Sequence, residues 1–187
     1  PEIPAGADLS IVRVRSSEGI SEVRVMAELE RVAEAVKGKG ASVVALSLAA
    51  PTAARDTPLS ILLDRLVSSG VGVVVGAGNS GPNLGTVTAP GDSALAMIVA
   101  AAGRAGLQFY SSRGTAQAPS VSVAHLVDDL RPGEILSDAA DKVFGTGEAA
   151  ERAATKLAAL ARALSEGLAA KGRRLPEGWF QYLAALV

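Results

Sequence analysis

The sequence predicts an α/β fold, three-layered around a mostly parallel sheet. Three observations predict it. Val71–Gly76, VGVVVG, is an apolar run with no polar residue on either side of the pleat, as in a strand buried on both faces of a parallel sheet. Two strand patterns and two helical patterns alternate ahead of it, so the first eighty residues read β-α-β-α-β, an order that builds parallel strands through right-handed crossovers. The chain has 187 residues, 49% of them hydrophobic, which suits one domain with a packed core.

Taken in order, Pro1–Ala7 reads as a loop. Leu9–Val14, LSIVRV, alternates and predicts a strand, with Arg13 and Arg15 pointing away or at its end. Ser16–Gly19 is a turn. Ser21 is placed to cap a helix from Glu22 to Lys37, with Val25, Leu29, Val32, Ala33 and Val36 as its apolar stripe and Gly38 and Gly40 as its stop. Ser42–Leu48 is the next strand. Asp56 or Thr57 caps a second helix that has Pro58 at the permissive first position and Leu59, Leu62, Leu63, Leu66 and Val67 on one face. Gly70 ends it and VGVVVG begins. Ala96–Ala102 is another buried strand, and Gln108–Tyr110 and Ser120–Ala124 are short strand candidates. A long alanine-rich helix runs from Glu148 to Ala170, and Pro176–Leu186 is a last helix. The whole, 1–187, reads as a single domain in which 170–187 is a C-terminal helical extension.

Composition removes several function classes. Eighteen basic and nineteen acidic residues give a net charge of −1, with the signs interspersed, so the chain lacks the footprint of a nucleic-acid binder. There is no cysteine, which excludes disulfides and thiolate metal sites, and the single histidine, His125, excludes a multi-histidine metal centre. No cofactor and no metal are expected. No apolar run reaches membrane-spanning length and no signal peptide opens this chain, so no membrane partner is expected; the compartment stays open.

The chemistry-bearing stretch is Val71–Asn83, VGVVVGAGNSGPN. Gly76, Gly78 and Gly81 spell G-x-G-x-x-G, but a dinucleotide site needs that motif to open a helix, and Pro82, Asn83, Gly85, Pro90 and Gly91 oppose one. VVVGAGNSGPN resembles instead the segment of the subtilisin-like serine peptidases, the subtilases, that carries the oxyanion-hole asparagine, here Asn79. More follows in matching order. Thr88–Ala102 resembles the loop and strand after that asparagine, Phe109–Gly114, FYSSRG, the family's FSSxG turn, and Gly145–Ala150, GTGEAA, the GTSMA segment where the serine nucleophile opens a helix. Ala5–Val14 and Ser42–Leu48 resemble strands leading to the substrate cleft. The resemblance covers roughly residues 5–170 and implies a subtilisin-like fold lacking the family's first strands.

The resemblance also implies an activity, serine endopeptidase, and the sequence departs from it. A subtilase needs an aspartate that orients a histidine, the histidine as base and a serine as nucleophile. The aspartate and histidine segments precede the part of the family that this chain resembles, and the serine position is Gly147, which has no side chain. Thr146 is expected to turn from the cleft and cap its helix through the Glu148 or Ala149 N–H. His125 is expected to be structural or solvent-facing, and Asp128 and Asp129 to lie in a solvated loop. Asn79 alone matches a catalytic position. In subtilisin such a donor contributes about 10²–10³ in rate, against about 10⁶ for the serine or histidine. An asparagine on its own is no useful peptidase.

The cleft-like residues are Ser47, Leu48, Ala49, Gly76, Ala77 and Gly78. Where the family has SLGG, this chain has Ser47-Leu48-Ala49-Ala50 and then Pro51, which narrows the approach of a substrate backbone and removes a donor. Glu148, Glu151, Arg152, Lys156 and Arg162 put charge on a helix that the family keeps apolar. The expected function is a catalytically inactive, pseudoprotease-like domain that binds or scaffolds a protein or peptide. The alternative is the later part of a split subtilase, completed by a companion chain. Two further expectations concern surfaces. Trp179, Phe180 and Tyr182, with Leu183 and Leu186, form a docking patch or pack back on the domain. Leu9–Val14 closes directly on Ser42–Leu48, or a foreign strand fills the slot between them.

Overall fold

The computed structural model describes residues 3, 6–16, 19–49, 56–115, 122–127, 145–184 and 186–187. Three strands form the parallel heart of the sheet: β3 (Ser42–Leu46), β4 (Val71–Gly76) and β5 (Met97–Gly103). β4 lies between the other two, with Val44 opposite Val73 on one side and Val75 opposite Ile98 on the other. β5 also pairs with β7 (Val123–Leu126) in parallel, and with the short β6 (Gly106–Leu107) in antiparallel sense, which completes a five-stranded sheet. Val73, Val74, Val75 and Val99 are wholly excluded from solvent, so the continuous apolar run does mark a strand covered on both faces.

The helices supply those covers. α1 (Glu22–Val36) starts at Ser21, which occupies the cap position without a side-chain hydrogen bond, and buries Val25 and Leu29. α2 (Pro58–Ser68) is capped by Thr57, whose Oγ1 accepts from the Ser60 N–H at 3.2 Å, and packs on β4 and on α1. α3 (Thr146–Ala169) packs on β3, β4, β5 and β7. Its buried face is almost all alanine: Ala149, Ala150, Ala153 and Ala161 join Leu157 at zero exposure, and small side chains let the helix lie close to the sheet. The charged side of α3 is tied by Glu148–Arg152 at 2.6 Å and Arg162–Glu166 at 2.7 Å.

α4 (Trp179–Ala184) lies over the same side of the sheet as α3. Trp179 and Phe180 are 5% and 2% exposed, the Trp179 Nε1–H donates to the Gly70 carbonyl at 3.1 Å, and their rings meet edge to face. Glycine at 72 makes this possible: a Cβ there would stand 2.8 Å from the Phe180 ring. This overturns the docking reading of the aromatic cluster. Trp179 and Phe180 are spent on the domain's own strand, and Tyr182 and Leu186 remain outside.

The strand expected over Leu9–Val14 does not form. Those residues belong to no ladder, and the first pairing is a small antiparallel hairpin of β1 (Arg15–Ser16) and β2 (Gly19–Ile20). Nor do residues 9–14 close on β3, whose outer edge has no strand beside it among the described residues. Gly6 lies against the Arg162 guanidinium on α3 and Val14 touches the core, while Leu9 and Ile11 between them are exposed. Alternation gives a segment the capacity to pair; it supplies no neighbour. Smaller shifts separate expectation from structure elsewhere. The pairing after β5 falls on 106–107 with a turn at 109–110, β7 falls on 123–126, and the last helix is confined to 179–184.

Candidate functional site

The site is built where β4 runs out. Two segments far apart in sequence meet there: Gly76–Asn79 at the carboxyl end of the central strand and Gly145–Gly147 at the start of α3. The Gly78 N–H donates to Thr146 Oγ1 at 3.0 Å. Thr146 then gives both of its own donors to one atom, Asn79 Oδ1, from its N–H at 3.1 Å and its hydroxyl at 3.1 Å. The two donors fix which end of the Asn79 amide is oxygen. Its amide nitrogen is therefore the part left to serve an incoming acceptor, and Asn79 itself is exposed.

Thr146 is thus not the helix cap expected of it. Gly145 takes the cap position, with φ +74° and ψ −141°, so Thr146 is the first helical residue and its hydroxyl faces β4. Two things require glycine at 145. That backbone conformation is one L side chains rarely adopt, and a Cβ would stand 2.7 Å from Asn79 Oδ1. Gly147 follows as the second helical residue, half-buried and without a side chain, and its N–H and that of Glu148 are among the first-turn donors that a helix leaves without an internal partner.

A second turn backs the first. The Gly81 N–H donates to the Tyr110 carbonyl and the Ser112 N–H to the Gly78 carbonyl, each at 2.8 Å. The Ser80 N–H donates to Ser112 Oγ at 3.1 Å, and Ser111 Oγ accepts from the Ala101 N–H at 3.1 Å. Ser111 and Ser112 are fully buried. AGNSGPN and FYSSRG, the two stretches most specific in the sequence, are therefore one physical unit, with serine hydroxyls standing in for missing strand partners. The sequence marked Ser112 only as part of a motif, and its role becomes visible once the two turns are brought together.

The cleft-like residues partly assemble. Ser47, Leu48 and Ala49 continue β3 past Leu46, alongside the end of β4, and the Ala49 methyl is a near neighbour of Gly78. Ser47 and Ala49 are exposed, Leu48 is half-buried, and Gly76 and Ala77 are buried. His125 is on β7, opposite Ala101 and two strands from β4, half-buried and engaged in interactions of its own. Asp128 and Asp129 lie outside the described residues. The G-x-G-x-x-G reading meets its own test: the chain from Ala77 to Ala96 is loop and turn, so no helix opens after Gly81. Asn79, Thr146 and Gly147 carry no ionisable group. The nearest on α3 are Glu148, paired with Arg152, and Glu151, whose carboxyl is held above the ordinary glutamate value of 4.5 by burial and then by Glu148.

This arrangement offers hydrogen-bond donors to a polar acceptor and no side-chain nucleophile at the position between them. The family model described as "Subtilase family" matches residues 3–167. None of the curated proteins matches. Among solved structures the chain is similar to a cold-adapted subtilisin-like serine proteinase, with 22% identity, a TM-score of 0.64, and coverage of 93% of this chain and 56% of that one. It is also similar to sphericase, with 21% identity, a TM-score of 0.63, and coverage of 79% and 52%, and to the psychrophilic protease S41, with 20%, 0.63, and 80% and 53%. At such identities these likenesses concern the fold, and the chain spans about half the length of the solved structures it matches.

Proposed function

The chain belongs to the subtilase family, and from that premise we propose that it is a catalytically inactive member whose scaffold binds a protein or peptide. One observation carries the reading. At the start of α3, beside Asn79, the residue after Gly145-Thr146 is Gly147, and Thr146 has already committed its hydroxyl to Asn79 Oδ1. No side chain at that point can attack a carbonyl. The donors for a polar acceptor remain, and donors without a nucleophile bind rather than cut. A fluorophosphonate probe should leave the purified chain unlabelled; stoichiometric labelling at Thr146 or at any serine overturns the proposal.

A second reading has one observation in its favour, that the chain spans 52–56% of the length of the solved structures it resembles. On that reading it is the later part of a split serine endopeptidase completed by a companion polypeptide carrying the aspartate and histidine. Gly147 weighs against it, because the nucleophile belongs to the part present here. Gly147→Ser tests what the two readings share, that this chain by itself has no base at the site. Alone it should give no turnover of a chromogenic peptide above a Gly147→Ala control, since His125 lies two strands from β4. Turnover by the variant alone would mean that a base already stands at the site.

A further inference from the structure

The chain between α3 and α4 stands the length of α3 away from Asn79, and it carries a pattern of its own. Arg173 and Arg174 are the only two adjacent basic residues in the sequence, and Lys171 precedes Arg174 by three positions. All three are exposed. The backbone beneath them is held at one end only. The N–H groups of Lys171 and Arg173 donate to the Leu168 carbonyl and that of Gly172 to the Ala169 carbonyl, each at 2.9 Å. These are bonds of a last helical turn, which frays. The next backbone N–H with a backbone partner is that of Trp179, on the Pro176 carbonyl. Exposed connections of this kind are where endopeptidases nick folded chains, because the scissile segment has to lie extended in the enzyme's cleft. Both flanks are anchored. α3 packs on the sheet, Trp179 donates to Gly70, Phe180 lies over Gly72, and Lys156 Nζ donates to the Val187 carbonyl.

We propose that Lys171–Leu175 is a processing site for an endopeptidase whose cleft is lined with carboxylates, and that the piece beyond the cut stays seated on the domain. In an extended chain Lys171 and Arg173 point to one side and Arg174 to the other, so such a cleft reads all three. Arginine suits carboxylate pockets because its guanidinium gives paired, charge-assisted hydrogen bonds. The step is hydrolysis of the Arg174–Leu175 peptide bond. Water adds its oxygen to the Arg174 carbonyl carbon, the C–N bond breaks, and the nitrogen takes a proton from the water to become the amino group of Leu175. The cut turns a covalent attachment into a binding equilibrium, in which Trp179 and Phe180 continue to cover the start of β4.

The test treats the full folded chain, and separately a synthetic peptide of residues 168–180, with an endopeptidase specific for paired basic residues. Mass spectrometry should find one cut in the chain, after Arg174. The two fragments should co-elute in gel filtration with the fluorescence of Trp179 unchanged. Arg174→Gln should abolish the cut, and Lys171→Gln should slow it about tenfold, the worth of one charge-assisted hydrogen bond. Protein recovered from its own source should carry the same cut. Digestion of the peptide while the folded chain stays whole overturns the proposal, as does equal cutting of the Arg174→Gln variant. Recovery of the uncut chain alone from the source overturns it too, and departure of residues 175–187 on cutting overturns the claim that they stay seated.

Discussion

Asn79 and Gly147 were legible as residues because a short motif surrounds each; what joins them was not. The residue that joins them is Thr146, and its partners lie 67 and 68 positions away, a separation at which sequence spacing carries no information about contact. Sequence reasoning placed the hydroxyl on its own helix because a threonine at a helix start usually caps it. Gly145 takes that position instead, and this predicts a cost. Gly145→Ala meets both the unfavourable backbone conformation and the Asn79 amide, and should destabilise the fold by about 1–3 kcal/mol in chemical denaturation. A change within error would mean that Asn79 is not held against this turn. Glu151 gives a pH-dependent prediction. Its carboxyl is raised above 4.5, so the folded state holds that proton more tightly than the unfolded chain does. The associated stability is fully present below the unfolded value and is lost as pH rises through the higher folded one. Glu151→Gln should therefore raise the melting temperature at neutral pH and leave it unchanged well below 4.5.

At the scale of elements, the sequence was most informative where one period was unambiguous. The apolar run of β4 and the capped stripe of α2 formed where expected, because burial on both faces and a Thr-Pro start each have one structural outcome. Leu9–Val14 shows the limit, since its alternation was real and its partner was absent. Connections between elements were the least legible. Asp64, on α2, receives the Ser93 hydroxyl at 2.6 Å and the Leu95 N–H at 2.9 Å, and so fixes the loop that feeds β5. Nothing in its helical surroundings marks an aspartate as a clamp for residues 29–31 positions on. Asp64→Ala should cost about 1–3 kcal/mol and speed amide exchange at Leu95, while amides within β4 stay protected.

At the scale of the whole molecule, the question is whether the last stretch belongs to the domain that the family model matches, which ends at residue 167. Its packing says what to measure. Trp179 is the only tryptophan of the chain, is 5% exposed, and donates its indole N–H to Gly70 at the approach to β4. Phe180 fills the space over Gly72, and Lys156 on α3 reaches the Val187 carbonyl at 2.9 Å. A segment held this way cannot leave without uncovering the central strand, so it should unfold with the rest in one cooperative step. Tryptophan fluorescence reports that segment alone, and far-ultraviolet circular dichroism reports the helices of the entire chain. Their denaturation midpoints should coincide, and Phe180→Ala should move both together by about 3–5 kcal/mol in stability. If fluorescence changes first and the dichroism follows at a separate, higher midpoint, residues 170–187 are an appendage and not a part of the core.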